Sequence, residues 1–227
     1  GSNAMADYKG DDGNNAGSKN IAIGVSAMEA FQGGTGDVHA NTRFDRNIAL
    51  GYNSFRGTDF NNAEVVVTDN IAIGDEALNS TGANGHVGTI AIGTNSLTAL
   101  TSSQGNTALG HEAGKALTGE NNTIIGYQSA LTASNTNNST IIGYKAMDAA
   151  VSGMHNNTII GTNAGSAIAD TNADNNVLIG NNAGVGGTAE LKNCVVIGTE
   201  AMDSTTDQAQ DGTVAIGYQA LTGLSSG

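Results

Sequence analysis

The sequence predicts an all-β chain folded as a parallel β-roll, a solenoid of about eleven coils, and three observations carry that expectation. One motif is written eleven times: a three-residue run of Ile, Val, Leu, Ala or Thr leads into Gly, and Ala or Ser follows three places later. The motif glycines are Gly24, Gly51, Gly74, Gly93, Gly110, Gly126, Gly143, Gly161, Gly180, Gly198 and Gly217, spaced 27, 23, 19, 17, 16, 17, 18, 19, 18 and 19 residues apart. A near-fixed short period is the signature of a chain that coils once per repeat and stacks each coil on the last. The run before each Gly is short, rich in β-branched residues and bounded by Asn or Thr, so it reads as a strand and not a helix. Finally, each strand is apolar on both faces, the pattern of a parallel strand covered on both sides.

Each column of the repeat has a physical task. The residue before the Gly is Ile or Leu in every copy, and the one three before is Ile, Val or Thr. These two positions lie two apart and point to one face of the strand. Between them stands Ala in the early copies (Ala22, Ala49, Ala72, Ala91, Ala108), then Ile124, Ile141, Ile159, Leu178 and Val196, and finally Ala215. That middle column faces the other way. One face fills the coil's own interior, and a second copy of the chain is the economical cover for the other, because a coil of 16 to 19 residues has no chain left to supply it. The middle column is expected to form the shared axis, thickening where Ala gives way to Ile124, Ile141, Ile159, Leu178 and Val196.

The Gly fits a corner where a positive φ or a close backbone approach excludes a side chain. The Ala or Ser column three residues on, Ala27 to Ala220, implies a narrow interior. Four residues before the Gly stands Asn in seven copies (Asn20, Asn47, Asn70, Asn106, Asn122, Asn157, Asn176). Asn accepts left-handed conformations and bonds nearby backbone, so this column is expected to make the turn and to align as an amide ladder.

Composition narrows the function. Eight basic and 21 acidic residues give a formal charge of −13, which disfavours nucleic acid and anionic membrane surfaces as partners. No apolar run approaches the roughly 18 residues of a membrane span. The single Cys excludes an internal disulfide framework. Pro and Trp are absent and aromatics are 4%, a usage shared with disordered chains, against which the strict apolar columns argue.

Three segments are expected. Residues 1–19 read as a tag remnant (GSNA) and a flexible Gly-rich lead-in, and no signal sequence follows Met5. For a surface protein, that points to a fragment, or to a phage structural protein released by lysis. Residues 20–73 hold irregular coils, and residues 74–227 the regular roll. The irregular coils carry all four Phe and all three Arg residues: Phe31, Phe44, Phe55 and Phe60, and Arg43, Arg46 and Arg56. Two readings stand. The segment is a cap, since solenoid ends must cover an open core, or these seven residues are a ligand surface, since aromatics and Arg are favoured at binding hot spots. The run EVVVTDN, 64–70, adds an extra strand outside the motif.

Chemical constellations are sparse. Tyr52, Tyr127, Tyr144 and Tyr218 each follow a motif Gly and are expected as half-buried rings beside the corner rather than a carbohydrate platform. Asp170, Asn172 and Asp174 have the opening spacing of a calcium loop, but Asn175 and Asn181 stand where Gly and Glu are needed. No metal site is assigned, and a loosely held calcium in these Asp/Asn loops is left open. His39, His86, His111 and His155 fall at unrelated repeat positions, and HEAGK at 111–115 lacks the second His of a zinc motif. Cys194 takes the Asn column and reads as a buried thiol without a matching His. The expectation is no enzyme and no cofactor.

NIAIGDEAL, NTALGHEAG and NNTIIGTNAG together carry a resemblance that covers roughly residues 20–221. The pattern is similar to the head repeat of trimeric autotransporter adhesins, the YadA-like heads, and to the NTAIGYQA-type repeats of phage tail fibres. The resemblance implies a left-handed parallel β-roll, three chains around a common axis, and a surface-exposed binding or spacer segment outside the cell, on a bacterial surface or a virion tail fibre. Its partners would be its own copies and a cell-surface glycan or protein receptor. The longer coils between Gly24 and Gly74 depart from that pattern. The expected function is attachment to a host or cell surface by a multivalent trimer. The alternatives are a tail-fibre spacer with no ligand, and an ice-binding solenoid. The last is disfavoured because Thr107, Thr123, Thr140 and Thr158 lie inside the strand column rather than in a paired outward rank.

Overall fold

Three-residue strands occur at every motif Gly, and their sequence explains why they stack. The computed structural model describes residues 2–4, 19–29, 43–57, 65–80, 85–150, 153–168, 171–185, 191–203 and 210–223. Among them there is no helix. The chain divides into two compact units, Gly1–His111 and Glu112–Gly227.

The first unit contains β1 (Ile21–Ile23), β2 (Arg43–Asp45), β3 (Ile48–Leu50), β4 (Val66–Thr68), β5 (Ile71–Ile73), β6 (His86–Val87), β7 (Ile90–Ile92), β8 (Ser103–Gln104) and β9 (Thr107–Leu109). Strands β1, β3, β5, β7 and β9 pair in parallel and in register, so that Ile21, Ile48, Ile71, Ile90 and Thr107 form one column. A second parallel sheet, β2-β4-β6-β8, forms another wall. Its β4 is the extra strand expected within EVVVTDN.

The second unit contains β10 (Thr123–Ile125), β11 (Thr140–Ile142), β12 (Thr158–Ile160), β13 (Val177–Ile179), β14 (Leu191–Lys192), β15 (Val195–Ile197), β16 (Gln210–Asp211) and β17 (Val214–Ile216). Strands β10, β11, β12, β13, β15 and β17 repeat the parallel in-register stack, and β14 pairs with β16. Each unit is thus a β-solenoid, hydrogen-bonded coil to coil: the Gly51 N–H donates to the Ile23 carbonyl at 2.9 Å and the Gly143 N–H to the Ile125 carbonyl at 2.8 Å. The all-β solenoid expectation holds.

The faces of the motif strand are the reverse of those expected. Ala49, Ala72, Ala91, Ile124, Ile141, Ile159, Leu178 and Val196 are fully buried within the single chain. The middle column is therefore the solenoid's own core, and Ile124, Ile141, Ile159, Leu178 and Val196 line no axis between chains. The flanking columns face outward instead, half-buried along the stacks and as much as 61% exposed at Ile23 and 64% at Ile216. A period of two sorts residues into two faces but does not say which face is inside.

Packing across the narrow interior explains the change from Ala to Ile. Four residues after the Gly, the first unit buries Met28, Phe55, Leu78 and Leu97. In the second unit that position is Gly114, Ala130, Met147, Gly165, Gly184, Met202 and Leu221. Large side chains stand here beside Ala22, Ala49, Ala72 and Ala91, and small ones accompany Ile124, Ile159 and Leu178. A Cβ at Gly165 would sit 3.3 Å from Leu178 Cδ1 and 3.4 Å from Ile159 Cδ1, and one at Gly184 would sit 3.0 Å from Leu178 Cδ2. Volume is exchanged between two walls of one core, as close packing demands. Ala108 with Gly114, Ile141 with Met147 and Val196 with Met202 do not follow the exchange. From Ala27 to Ala201 the Ala/Ser column is buried, as expected, and Ser54 Oγ and Ser96 Oγ donate to the carbonyls of Gly51 and Gly93 at 3.2 and 3.0 Å.

The backbone of each corner is unusual. Met28, Phe55, Leu78 and Leu97 have φ of 49° to 54°, a left-handed conformation that costs about 1–2 kcal/mol for a side-chain-bearing residue. Full burial of such a side chain returns about 1.5–3 kcal/mol, enough to hold the strain. The motif glycines reach φ of 130° to 145°, and a Cβ at Gly51 would fall 2.5 Å from the Gly74 carbonyl oxygen. Both reasons foreseen for this Gly, conformation and close approach, apply together. The left-handed turn residue expected at the Asn column lies one place earlier, at Arg46, Asp69, Asn121, Asn138, Asn156, Asn175 and Asn193, with φ of 55° to 64°.

The Asn column itself is buried and makes the expected ladder. Asn47 Nδ2 donates to the Val67 carbonyl at 2.8 Å and to Asn20 Oδ1 at 3.1 Å, while Asn47 Oδ1 accepts from the N–H of Asn70. In the second unit, Asn176 Nδ2 donates to the Leu191 carbonyl at 2.8 Å. Asn176 Oδ1 accepts from the Cys194 N–H at 2.9 Å.

Candidate functional site

The most extensive feature offered to a partner is the outward face of the motif strands. In the first unit it presents Ile21 and Ile23, Ile48 and Leu50, Ile71 and Ile73, Ile90 and Ile92, and Thr107 and Leu109. In the second it presents Thr123 and Ile125, Thr140 and Ile142, Thr158 and Ile160, Val177 and Ile179, Val195 and Ile197, and Val214 and Ile216. None of these residues is charged, in a chain whose formal charge is −13. Thr123, Thr140 and Thr158 pair in register on this face, and so do Val177, Val195 and Val214. The threonines are thus an outward rank, one per strand and, as expected, not a paired rank.

Beside this face stand the tyrosines. Tyr127 and Tyr144 are 44% and 50% exposed and stack with ring centroids 5.5 Å apart and planes 10° from parallel. Lys145 Nζ lies 5.9 Å from the Tyr144 ring. Nearby, Glu112 takes Lys115 Nζ at 2.7 Å and Gln128 Nε2 at 2.8 Å. Because the two rings cover each other, they tie one coil to the next.

The seven residues offered as a ligand surface separate. Phe44 and Phe55 are interior, 3% and 0% exposed, with ring centroids 6.4 Å apart. They cannot meet a ligand, because they fill the narrow core opposite the alanines. The arginines are on the surface, each beside an acidic group. Arg46 grips Asp69 with two hydrogen bonds of 2.6 and 2.7 Å, Arg43 lies 3.6 Å from Asp45, and Arg56 lies 4.0 Å from Glu29. The Arg46–Asp69 and Arg56–Glu29 pairs join successive coils. The Arg46 hydrogen bond holds the Asp69 carboxyl below its ordinary value, although exposed pairs of this kind add little stability. Phe31 and Phe60 lie outside the described residues.

Two buried titratable groups stand out. In the second sheet His86 takes the position held by Phe44 and Val67 in the preceding strands, in register between Val67 and Ser103 and edge-on to Phe55 at 6.4 Å. Burial pushes its imidazole pKa down to about 4, against a small opposing pull from the Thr101 backbone. The motif by itself gives this His no position among the four histidines. The signal that places it is its alignment, seven residues before Gly93, with Phe44 and Val67 before Gly51 and Gly74. Cys194 is buried, as expected, and its thiol donates toward the carbonyls of Gln210 at 2.8 Å and Lys192 at 3.1 Å. Burial raises the Cys194 pKa, which keeps it a thiol rather than a nucleophilic thiolate.

Among the described residues, no group of three or more His, Cys, Asp or Glu is placed to hold a metal. Asp170 lies outside the described residues, while Asp174 is occupied as the acceptor of the His155 N–H at 2.7 Å. No described helix is long and apolar enough to cross a membrane. No family model, curated protein or solved structure matches this chain.

Proposed function

We propose that the chain is a non-enzymatic segment of a surface fibre or adhesin head, acting outside the cell as a homotrimer that attaches to a cell-surface glycan or protein receptor. The observation that supports this reading best is the uncharged outward strand face, repeated row after row in both units. Contiguous apolar faces of this kind mark association sites, and a parallel sheet is ordinarily covered on both sides. Copies of an acidic chain meet along that face without bringing like charges together. The resemblance of the repeats to adhesin heads supplies the number three. Weak contacts to a receptor then gain from three equivalent faces. A spacer without a ligand is the second reading, and silence across broad glycan and receptor panels would favour it. The outward Thr rank gives the ice-binding reading more support than the sequence did, but one Thr per strand, beside Ile, suits a protein contact better. A thermal hysteresis assay separates them.

Light scattering tests the trimer directly. The expected mass is near three times the 22.7 kDa of one chain and does not fall on dilution. Ile142→Glu with Ile160→Glu, on the outward face, is expected to yield a monomer with an unchanged circular dichroism spectrum. A monomeric wild type would overturn the proposal.

A further inference from the structure

We infer that the change from Thr to Val along the outward column of the second unit sets the axial register in which copies of the chain associate; this rests on the homotrimer proposed above. A solenoid face built from identical rows has a registration problem. Slipping one copy by a whole coil replaces each row with an equivalent one and sacrifices contact only at the ends. Uniform strips specify register weakly for this reason. Closed threefold symmetry sets the copies parallel and level, and the competing state is an asymmetric trimer in which one parallel copy has slid by a coil.

The second unit breaks that degeneracy. Its outward column reads Thr123, Thr140, Thr158 and then Val177, Val195, Val214, in one unbroken register. The companion column is Ile in all six strands, so between these two columns the distinction rests on Thr and Val. In register, hydroxyls of neighbouring copies face hydroxyls and can pair. A slip of one coil sets Thr158 of one copy against Val177 of another, leaving a hydroxyl out of water without a partner. The arrangement exchanges some apolar contact for a unique alignment, the use for which buried polar residues in repetitive interfaces are best attested.

The test mixes two populations of full-length chain, one carrying Ile142→Cys and the other Ile160→Cys, both with Cys194→Ser. Ser139 already occupies the Cys194 column, with its Oγ accepting the Asn157 N–H at 3.1 Å, so the background substitution keeps the ladder. The two populations are refolded together and oxidised, and like and unlike disulfides are counted by mass spectrometry. Like pairs are expected to predominate. Adding Thr123→Val, Thr140→Val and Thr158→Val to both populations is expected to raise the unlike fraction at least threefold while the melting temperature holds or rises. Val already fills this column in β13, β15 and β17, so the fold tolerates it. Trimers whose unlike fraction is the same with and without the Thr→Val changes would overturn the register role and leave the trimer standing. Monomers by light scattering would overturn both.

Discussion

At the scale of single residues, burial decides more than chemistry. His86 is the clearest case. Its imidazole pKa in the folded chain, about 4, lies below the ordinary 6.5. The unfolded chain therefore binds the proton first as pH falls, and the folded state loses stability between pH 6.5 and 4. Above 6.5 both states are neutral and the contribution is complete. At about 1.4 kcal/mol per pH, the loss across that window amounts to roughly 3 kcal/mol. Urea midpoints measured from pH 7.5 to 4 should fall accordingly in the wild type and flatten over this range in His86→Val, which restores the side chain found at Val67 in the same column. The middle column supplies a second residue-scale expectation. Ile141→Ala removes a fully buried side chain and should cost about 2–5 kcal/mol by urea denaturation. Ile141→Asp should unfold its coil outright. Equal stability losses in Ile141→Ala and Ile142→Ala would argue against the inward placement of Ile141.

At the scale of the coil, the amide ladder and the left-handed corner hold one turn on the next. Asn176 bonds the Leu191 carbonyl and the Cys194 N–H, both on the following coil. Asn176→Ala leaves both groups buried without that partner and should cost about 1–3 kcal/mol for each, read as a lower urea midpoint. Much of this element was legible. The strands, the Gly corner, the narrow Ala/Ser wall and the ladder all follow from residue types that only one geometry accepts. The inside face was not legible from alternation, because Ile-Ala-Ile and Thr-Ile-Ile are apolar in both directions. The informative signal lay six residues away, where Phe55, Leu78 and Leu97 follow Ala49, Ala72 and Ala91, while Gly165 and Gly184 follow Ile159 and Leu178. The seven candidate ligand residues were chosen by type, and type does not distinguish a Phe that fills a core from one that greets a partner. Arg46 and Arg56 likewise serve the stacking of coils.

At the scale of the whole molecule, the frame and the connecting segments obey separate rules. Motif spacing ranges from 16 residues, between Gly110 and Gly126, to 27, between Gly24 and Gly51. The strand register does not change with it: Ile21 still meets Ile48 as squarely as Thr123 meets Thr140. Frame positions are locked to a few residue types by sterics and burial, whereas the length of chain between them changes from coil to coil. The two parts are thus free to evolve on different clocks. A foreign peptide of ten or so residues grafted between β1 and β3 faces a length the scaffold already absorbs there, which makes that connection the place to install new display sequences without redesigning the stack.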